Sequence, residues 1–130
     1  MRQIVYSSVA TSSFRMDDLG SLLYDARYLN RRSNVTGLLL FDGQNFLQAL
    51  EGDWRNVGDT LARISKDKRH HSIAILSDRT TDRREFGNWD MATKVLDASD
   101  YTKSLKDLIS GVTQPEIKMA FEAFAAAKLG

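Results

Sequence analysis

The chain has 130 residues, 42% of them hydrophobic and 27% charged, with a formal net charge of +1 and no cysteine. That length fits one ordinary domain with a real core and is too short for two. Near-neutral charge gives no bulk pull toward nucleic acid or an anionic membrane, and the missing thiols exclude disulfides, cysteine-based zinc sites and thiol chemistry. The first residues run straight into a strand pattern without an apolar signal core, and no run approaches roughly 18 apolar residues. A cytoplasmic protein that does not enter the membrane is the expectation.

Residues 4–8 predict a strand with Ile4, Tyr6 and Ser8 on one face. Residues 16–30 predict a helix, with Leu19, Leu22, Leu23 and Ala26 at helical spacing and Asp17 and Asp18 in the first turn. Asn30 stands near its end, where a capping asparagine is the plain explanation. Apolar runs over 35–41 and 45–51 flank Asp42-Gly43, a strong hairpin signal. Alternation then puts Phe46, Gln48 and Leu50 on one side of the second run. An amide in such an apolar row costs about 1–3 kcal/mol if left unpaired, so Gln48 needs a side chain or a polar ligand to meet it.

Gly52-Asp53 opens a second helix, with Asp53 as N-cap and Val57, Leu61 and Ile64 as its buried stripe. The cluster 66–71 ends that helix and turns the chain. Strands are predicted over 72–77 and 86–95, joined by a polar loop whose charged run 79–85 reads as solvated. Two further helices are predicted over 101–109 and 115–129, the second beginning at Pro115, a favoured first-turn residue. This order predicts an α+β ferredoxin-like sandwich: a five-stranded sheet with two helices crossing one face and the C-terminal helices covering the other.

Several side chains stand out against that frame. Tyr6 alone is an ordinary half-buried strand aromatic, and Arg63 alone is a solvated helix arginine. Trp89 and Met91 lie two apart, hence on one strand face, where core packing explains both. His70 and His71 are adjacent and point differently, so they form no helical metal pair.

Their order and spacing carry more than any one of them. Tyr6-Ser-Ser8, Ala26-Arg27 with Asn30, Thr36-Gly-Leu-Leu39, Phe46-Leu-Gln-Ala-Leu-Glu-Gly52, Asp67-Lys-Arg-His70 and Phe86-Gly-Asn-Trp-Asp-Met91 resemble, in sequence and spacing, the BLUF domain, a flavin-binding sensor of blue light. The resemblance covers residues 1–95 as a photosensory domain and leaves 96–130 as a helical extension packed on it.

The resemblance implies roles position by position. Tyr6 would donate an electron and a proton to the excited flavin. Gln48 would lie between Tyr6 and the flavin's polar edge and change its hydrogen bonding. Asn30 would hold the imide edge, while Arg63 and, more weakly, Arg69 and His70 would approach the ribityl phosphate. Trp89 and Met91 would relay the change, and which of them faces the flavin stays open. FAD is the implied cofactor, with FMN and riboflavin as alternatives. Two positions depart from the family: Leu29 stands where a polar residue is common, and Ala26 where a small hydroxyl residue is.

Other readings are weaker. An acyl-phosphate hydrolase of this architecture would use Arg15 in the first loop, but the glycine-rich phosphate cradle is absent, as is any nucleophile with a neighbouring base. The chain is therefore not read as an enzyme. The run 79–85 mixes acids with bases and lacks interleaved aromatics, so nucleic acid is not expected as a partner. A flavin-free interaction domain is the remaining alternative. Ile117, Phe121 and Phe124 give the last helix an apolar stripe that either a second copy or a separate response protein would use.

Overall fold

The computed structural model describes residues 1–86, 92–95 and 101–129. Its elements are β1 (Arg2–Ala10), α1 (Met16–Ser33), β2 (Thr36–Phe41), β3 (Asn45–Gly52), α2 (Trp54–Ser65), β4 (His70–Thr80), β5 (Ala92–Val95), α3 (Tyr101–Leu108) and α4 (Pro115–Leu129). The sheet order is β4-β1-β3-β2-β5. The first four strands pair antiparallel in the ferredoxin-like arrangement, and β5 joins parallel to β2. No helix among the described residues is long and apolar enough to cross a membrane.

Local chemistry fixes the element ends. Asp42 Oδ1 accepts from the backbone N–H of Gln44 and Asn45 at 2.9 and 2.7 Å, and Gly43 takes the positive φ of 100° that the tight loop needs. The loop thus spans three residues, one more than the Asp42-Gly43 pair alone. Asp53 caps α2, accepting from Arg55 and Asn56 N–H at 3.0 and 3.4 Å. The first helix outruns the sequence expectation and ends at Asn34, whose left-handed φ of 53° closes it. Asn30 is therefore not the cap. It lies inside the last turn and is buried.

Each face of the sheet carries its own core. On one, Ile4, Tyr6, Leu39, Phe41, Phe46 and Leu50 pack with Leu19 and Val57 of α1 and α2. On the other, Val5, Leu38, Leu40, Leu47 and Ala49 pack with Phe86, with Leu105, Ile117 and Phe121 of the C-terminal helices and with Ile109 just past α3. Each large apolar side chain so buried contributes about 1.5–3 kcal/mol. Gly37 permits the closest strand approach: a Cβ there would lie 1.8 Å from the Ala49 carbonyl oxygen.

The second face also holds a polar knot that the sequence does not announce. β4 and β5 lie at opposite edges of the sheet, and residues 81–86 begin the crossing between them. Glu51 of β3, fully buried, pins that crossing segment. Its carboxylate accepts from the backbone N–H of Glu85 at 2.8 Å and of Phe86 at 2.8 Å, and from the Gln3 amide at 2.9 Å. Glu85 in turn takes hydrogen bonds from Arg79 and Gln3, and at 2.7 Å from the hydroxyl of Thr113 in the α3–α4 connection. Burial alone raises the Glu85 carboxyl, but the donors Thr113, Gln3 and Arg79 outweigh it and hold the group below the ordinary carboxylate range. Arg84 reaches the Asn34 and Glu51 carbonyls, both at 2.7 Å. The run 79–85 is thus no solvated loop. Asp82 and Arg83 are exposed, while Arg79, Arg84 and Glu85 brace the sheet.

The edge strand β4 is irregular. Its register against β1 shifts between Val5 and Tyr6 and again between Ser7 and Val9, and Ser72 adopts a positive φ of 58°. These are β-bulges, and they twist the strand where Ile75 and Leu76 stand exposed.

Glu51→Ala strips the acceptor from two buried backbone N–H groups and one amide. Each unpaired group costs about 1–3 kcal/mol, so the variant should lose roughly 3 kcal/mol or more in urea unfolding. A loss under about 1 kcal/mol would show that the crossing segment does not depend on this carboxylate.

Candidate functional site

Pairing of the two central strands generates the site. Tyr6 of β1 and Gln48 of β3 are direct cross-strand partners, and Leu39 of β2 flanks Gln48 on the other side. Alternation then aims Tyr6, Leu39, Phe46 and Gln48 at α1 and α2. The helices stand apart above these residues and leave a slot of about 370 Å³. Leu22, Ala26, Leu29 and Asn30, at helical spacing, make the α1 wall, and Arg63 and Ile64 make the α2 wall. At one end Asn56 Nδ2 donates to the Ser33 carbonyl at 3.0 Å and ties the helices together. At the other, Asp67, Arg69 and His70 face Tyr24, Asp25 and Tyr28 across the mouth.

Tyr6 and Gln48 are 3% and 4% exposed, which removes water as a competitor for their hydrogen bonds. Tyr6 Oη donates to Gln48 Oε1. Burial of the phenol pushes its pKa well above the ordinary value, and the charge of Asp67 adds to the effect. The hydroxyl thus stays protonated and acts as donor. With the carbonyl end of the amide turned to Tyr6, the NH₂ end points the other way, so one planar group presents an acceptor to the strand and a donor beyond it.

The remaining polar groups are engaged with one another or with the backbone. Arg63 Nη2 donates to Asn30 Oδ1 at 3.3 Å, a long bond that spans the slot from α2 to α1. Desolvation lowers the Arg63 pKa, in keeping with a guanidinium drawn away from water. His70 Nε2 lies 2.7 Å from the Ile64 carbonyl, which only accepts, so that nitrogen carries a proton. In the neutral ring Nδ1 then accepts from the Ser8 hydroxyl at 2.8 Å, and the ring stands edge-on to Phe46. Arg69 chelates Asp67 through Nε and Nη2 at 2.9 and 2.6 Å and faces Asp25 across the mouth at 3.5 Å.

Tyr6, Asn30, Gln48, Arg63, Arg69 and His70, singled out from the sequence, all line this one slot. The geometry divides them. Tyr6, Gln48, Asn30 and Arg63 project polar atoms between the helices, whereas both His70 nitrogens and most of the Arg69 guanidinium are committed to neighbours. Asp25 and Ser8 complete the site without having been picked out. Ser8 was legible as a face-mate of Tyr6, but Asp25 had no signal of its own. Trp89 and Met91 lie outside the described residues. Arg15 starts α1, where its backbone N–H donates to Asp18 at 2.8 Å, and it does not line the slot.

The donor set suits a flat ring. Leucine, isoleucine and phenylalanine supply two apolar walls, while two amides and a guanidinium supply one polar edge, in a volume normal for a small cofactor.

Comparison with known proteins agrees. The chain is 25% identical over 111 residues to the photoactivated adenylate cyclase subunit alpha of Euglena gracilis, a match covering 84% of this chain and 11% of that protein. It is 32% identical over 84 residues to the blue light- and temperature-regulated antirepressor BluF of Escherichia coli, covering 65% of this chain and 21% of that protein. The chain therefore spans a small part of the length of these relatives. The solved structure of Klebsiella pneumoniae BlrP1 in a calcium and cyclic diGMP complex superposes with a TM-score of 0.80 at 26% identity, over 98% of this chain and 34% of that one. Residues 1–92 match the family model of sensors of blue-light using FAD, and the chain belongs to that family, BLUF.

Proposed function

We propose that this chain detects blue light through a flavin held in the slot between α1 and α2, and that its switch is the Tyr6–Gln48 hydrogen bond. The observation that carries the reading is this bond itself: a buried phenol donating to a buried amide on the floor of the slot. A bound flavin supplies blue absorption and an excited state that accepts an electron. The protein supplies everything else.

With a flavin bound, Tyr6 would give an electron to its excited state while Gln48, in contact with the hydroxyl, would carry the proton, and both would return to Tyr6 as the excited state decays. An amide that rotates or tautomerises exchanges donor for acceptor at both ends, so its partners end with a different pattern and no net chemistry. No other neutral side chain but the shorter Asn offers this. Asn30 and Arg63, joined across the slot, are assigned together to the polar edge of the ring. That shifts Arg63 from the phosphate end, where the family resemblance alone placed it, to the imide end. The 3.3 Å bond between them is long enough to yield to a ligand group that satisfies both. With Leu29 and Ala26 lining the slot, the imide edge has fewer hydroxyl and polar neighbours than the family commonly provides.

FAD is the flavin we assign. The signal leaves by β5 and the C-terminal helices, with Trp89 and Met91 as relay, and passes by contact to a separate response protein in the cytoplasm. Glu51 supports this route. It sits three residues beyond Gln48 on β3 and holds the segment that leads to β5.

The purified protein should be yellow, and blue light should shift its flavin bands slightly to the red, with recovery in darkness. Tyr6→Phe should keep the flavin and abolish the shift, at a stability cost of about 1–2 kcal/mol for the unpaired amide oxygen. A normal photocycle in that variant would remove Tyr6 from the mechanism. A colourless protein that takes up no added flavin would favour a flavin-free interaction domain.

Because the folded protein raises the Tyr6 pKa, the hydroxyl keeps its proton up to the ordinary tyrosine value near 10 and beyond. Photoconversion amplitude should therefore be flat from about pH 6 to pH 10. Above that, the unfolded chain releases the proton first, so stability falls with rising pH, and less steeply in Tyr6→Phe. An amplitude that titrates near pH 8 would contradict this. Light-minus-dark hydrogen exchange should change over residues 86–95, α3 and α4; differences confined to the slot would rule out this exit.

A further inference from the structure

The C-terminal end of α1 is held by side chains that come from far along the chain. The last carbonyls of a helix have no partner within it and must find one outside. Asn56 of α2 donates to the Ser33 carbonyl at 3.0 Å, and Arg84 Nη2 donates to the Asn34 carbonyl at 2.7 Å. Arg84 Nη1 also donates to the Thr36 hydroxyl at 2.6 Å and to the Glu51 carbonyl at 2.7 Å. One guanidinium therefore joins the cap of α1, the first residue of β2 and the end of β3.

These three acceptors are uncharged, so what the guanidinium supplies is direction, through a planar fork with fixed angles. Its positive charge also suits the C-terminal end of a helix. The cap has little room to shift. Asn34 sits in the left-handed conformation at a φ of 53°, and a Cβ on Gly52 would lie 3.1 Å from its carbonyl oxygen.

Cap and slot share one residue. Asn30 turns its carboxamide to Arg63 across the slot, while its backbone carbonyl accepts from the Val35 N–H at 2.9 Å inside the cap. A shift of the cap against β3 thus moves the Asn30 amide relative to Gln48 on that strand. The two residues after Arg84 donate their backbone N–H groups to the Glu51 carboxylate. Residues 84–86 consequently grip Glu51 by its backbone and its side chain at once.

We infer that Arg84 is a positioning residue of the switch: it sets where Asn30 stands relative to Gln48 and ties that pair to the segment leading to β5. Its effect on the photocycle rests on the flavin reading above, while its hold on the cap needs no ligand.

The test compares the native chain with Arg84→Met, which keeps the stem and removes the donors. In the flavin-free protein, heteronuclear NMR should show shifted Asn30 side-chain amide signals and faster solvent exchange of the Val35 amide. Coupling within one hydrogen-bonded network is worth roughly 2- to 150-fold, so in the flavin-loaded protein dark recovery should change by at least about twofold. That change should vanish in an Asn30→Ala background. Arg84→Lys keeps the charge without the fork and should resemble Arg84→Met. Thr36→Val is nearly isosteric and deletes one anchor, so it should move the Asn30 signals the same way even where Arg84→Met does not fold.

Unmoved Asn30 signals in Thr36→Val and in folded Arg84→Met would overturn the positioning role. So would a recovery change of equal size in the Asn30→Ala background, the mark of a general loss of stability. Full rescue by Arg84→Lys would overturn it too, because charge alone would then suffice. A protein that takes up no added flavin would overturn the flavin reading and Arg84's part in the photocycle, and the NMR comparison would still decide its hold on Asn30.

Discussion

A phenol handing its hydrogen to a carboxamide inside a dry floor is the constraint around which this protein is arranged. Register places Tyr6 opposite Gln48, and alternation turns both toward the helices. A one-residue slip of β3 would send Gln48 to the opposite core and Leu47 into the slot. The apolar flanks Leu39, Phe46 and Leu50 therefore do two things at once: they bury area, and they fix which face the amide occupies. Exclusion of water raises the cost of an unpaired amide and keeps the phenol neutral, so the same burial that makes the bond necessary makes it well defined.

The other face of β3 carries a second polar commitment. Gln48 points up into the slot, and Glu51 points down and grips the segment returning under the sheet, with Glu85 extending the grip to Thr113 between α3 and α4. One strand is thus bonded to the site on one side and, through a carboxylate, to the C-terminal helices on the other. Such charge-assisted bonds are short and directional, so they transmit a tilt of the strand better than an apolar contact that can slide. On the slot side the two helices are linked by the longer Arg63–Asn30 bond, by Asn56 to the Ser33 carbonyl and, across the mouth, by Arg69 facing Asp25.

Much of this was legible in the sequence, for physical reasons. The hairpin showed because turn chemistry and alternation are local signals, and Asp53, Val57 and Pro115 marked helices in the same way. The amphipathic tail implied the opposite face because one face was already taken. Three things were not legible. Asn30 and Asn34 are the same residue type four apart, and only the backbone shows which one adopts the left-handed turn. The run 79–85 looked solvated because its partners, Gln3, Glu51 and Thr113, lie far away in the chain. The resemblance sets Arg69 and His70 toward the phosphate, and the sequence does not reveal that Asp67, Ser8 and the Ile64 carbonyl are their neighbours.

The bulged margin of the sheet has a consequence of its own. β4 runs for eleven residues along an outer edge with isoleucine and leucine bare, a description that usually fits the seed of a fibril. Two register breaks and a left-handed serine interrupt its row of hydrogen-bonding groups, so no incoming chain finds more than a few consecutive groups in line. Irregularity here shortens the stretch along which a second strand could pair with this border.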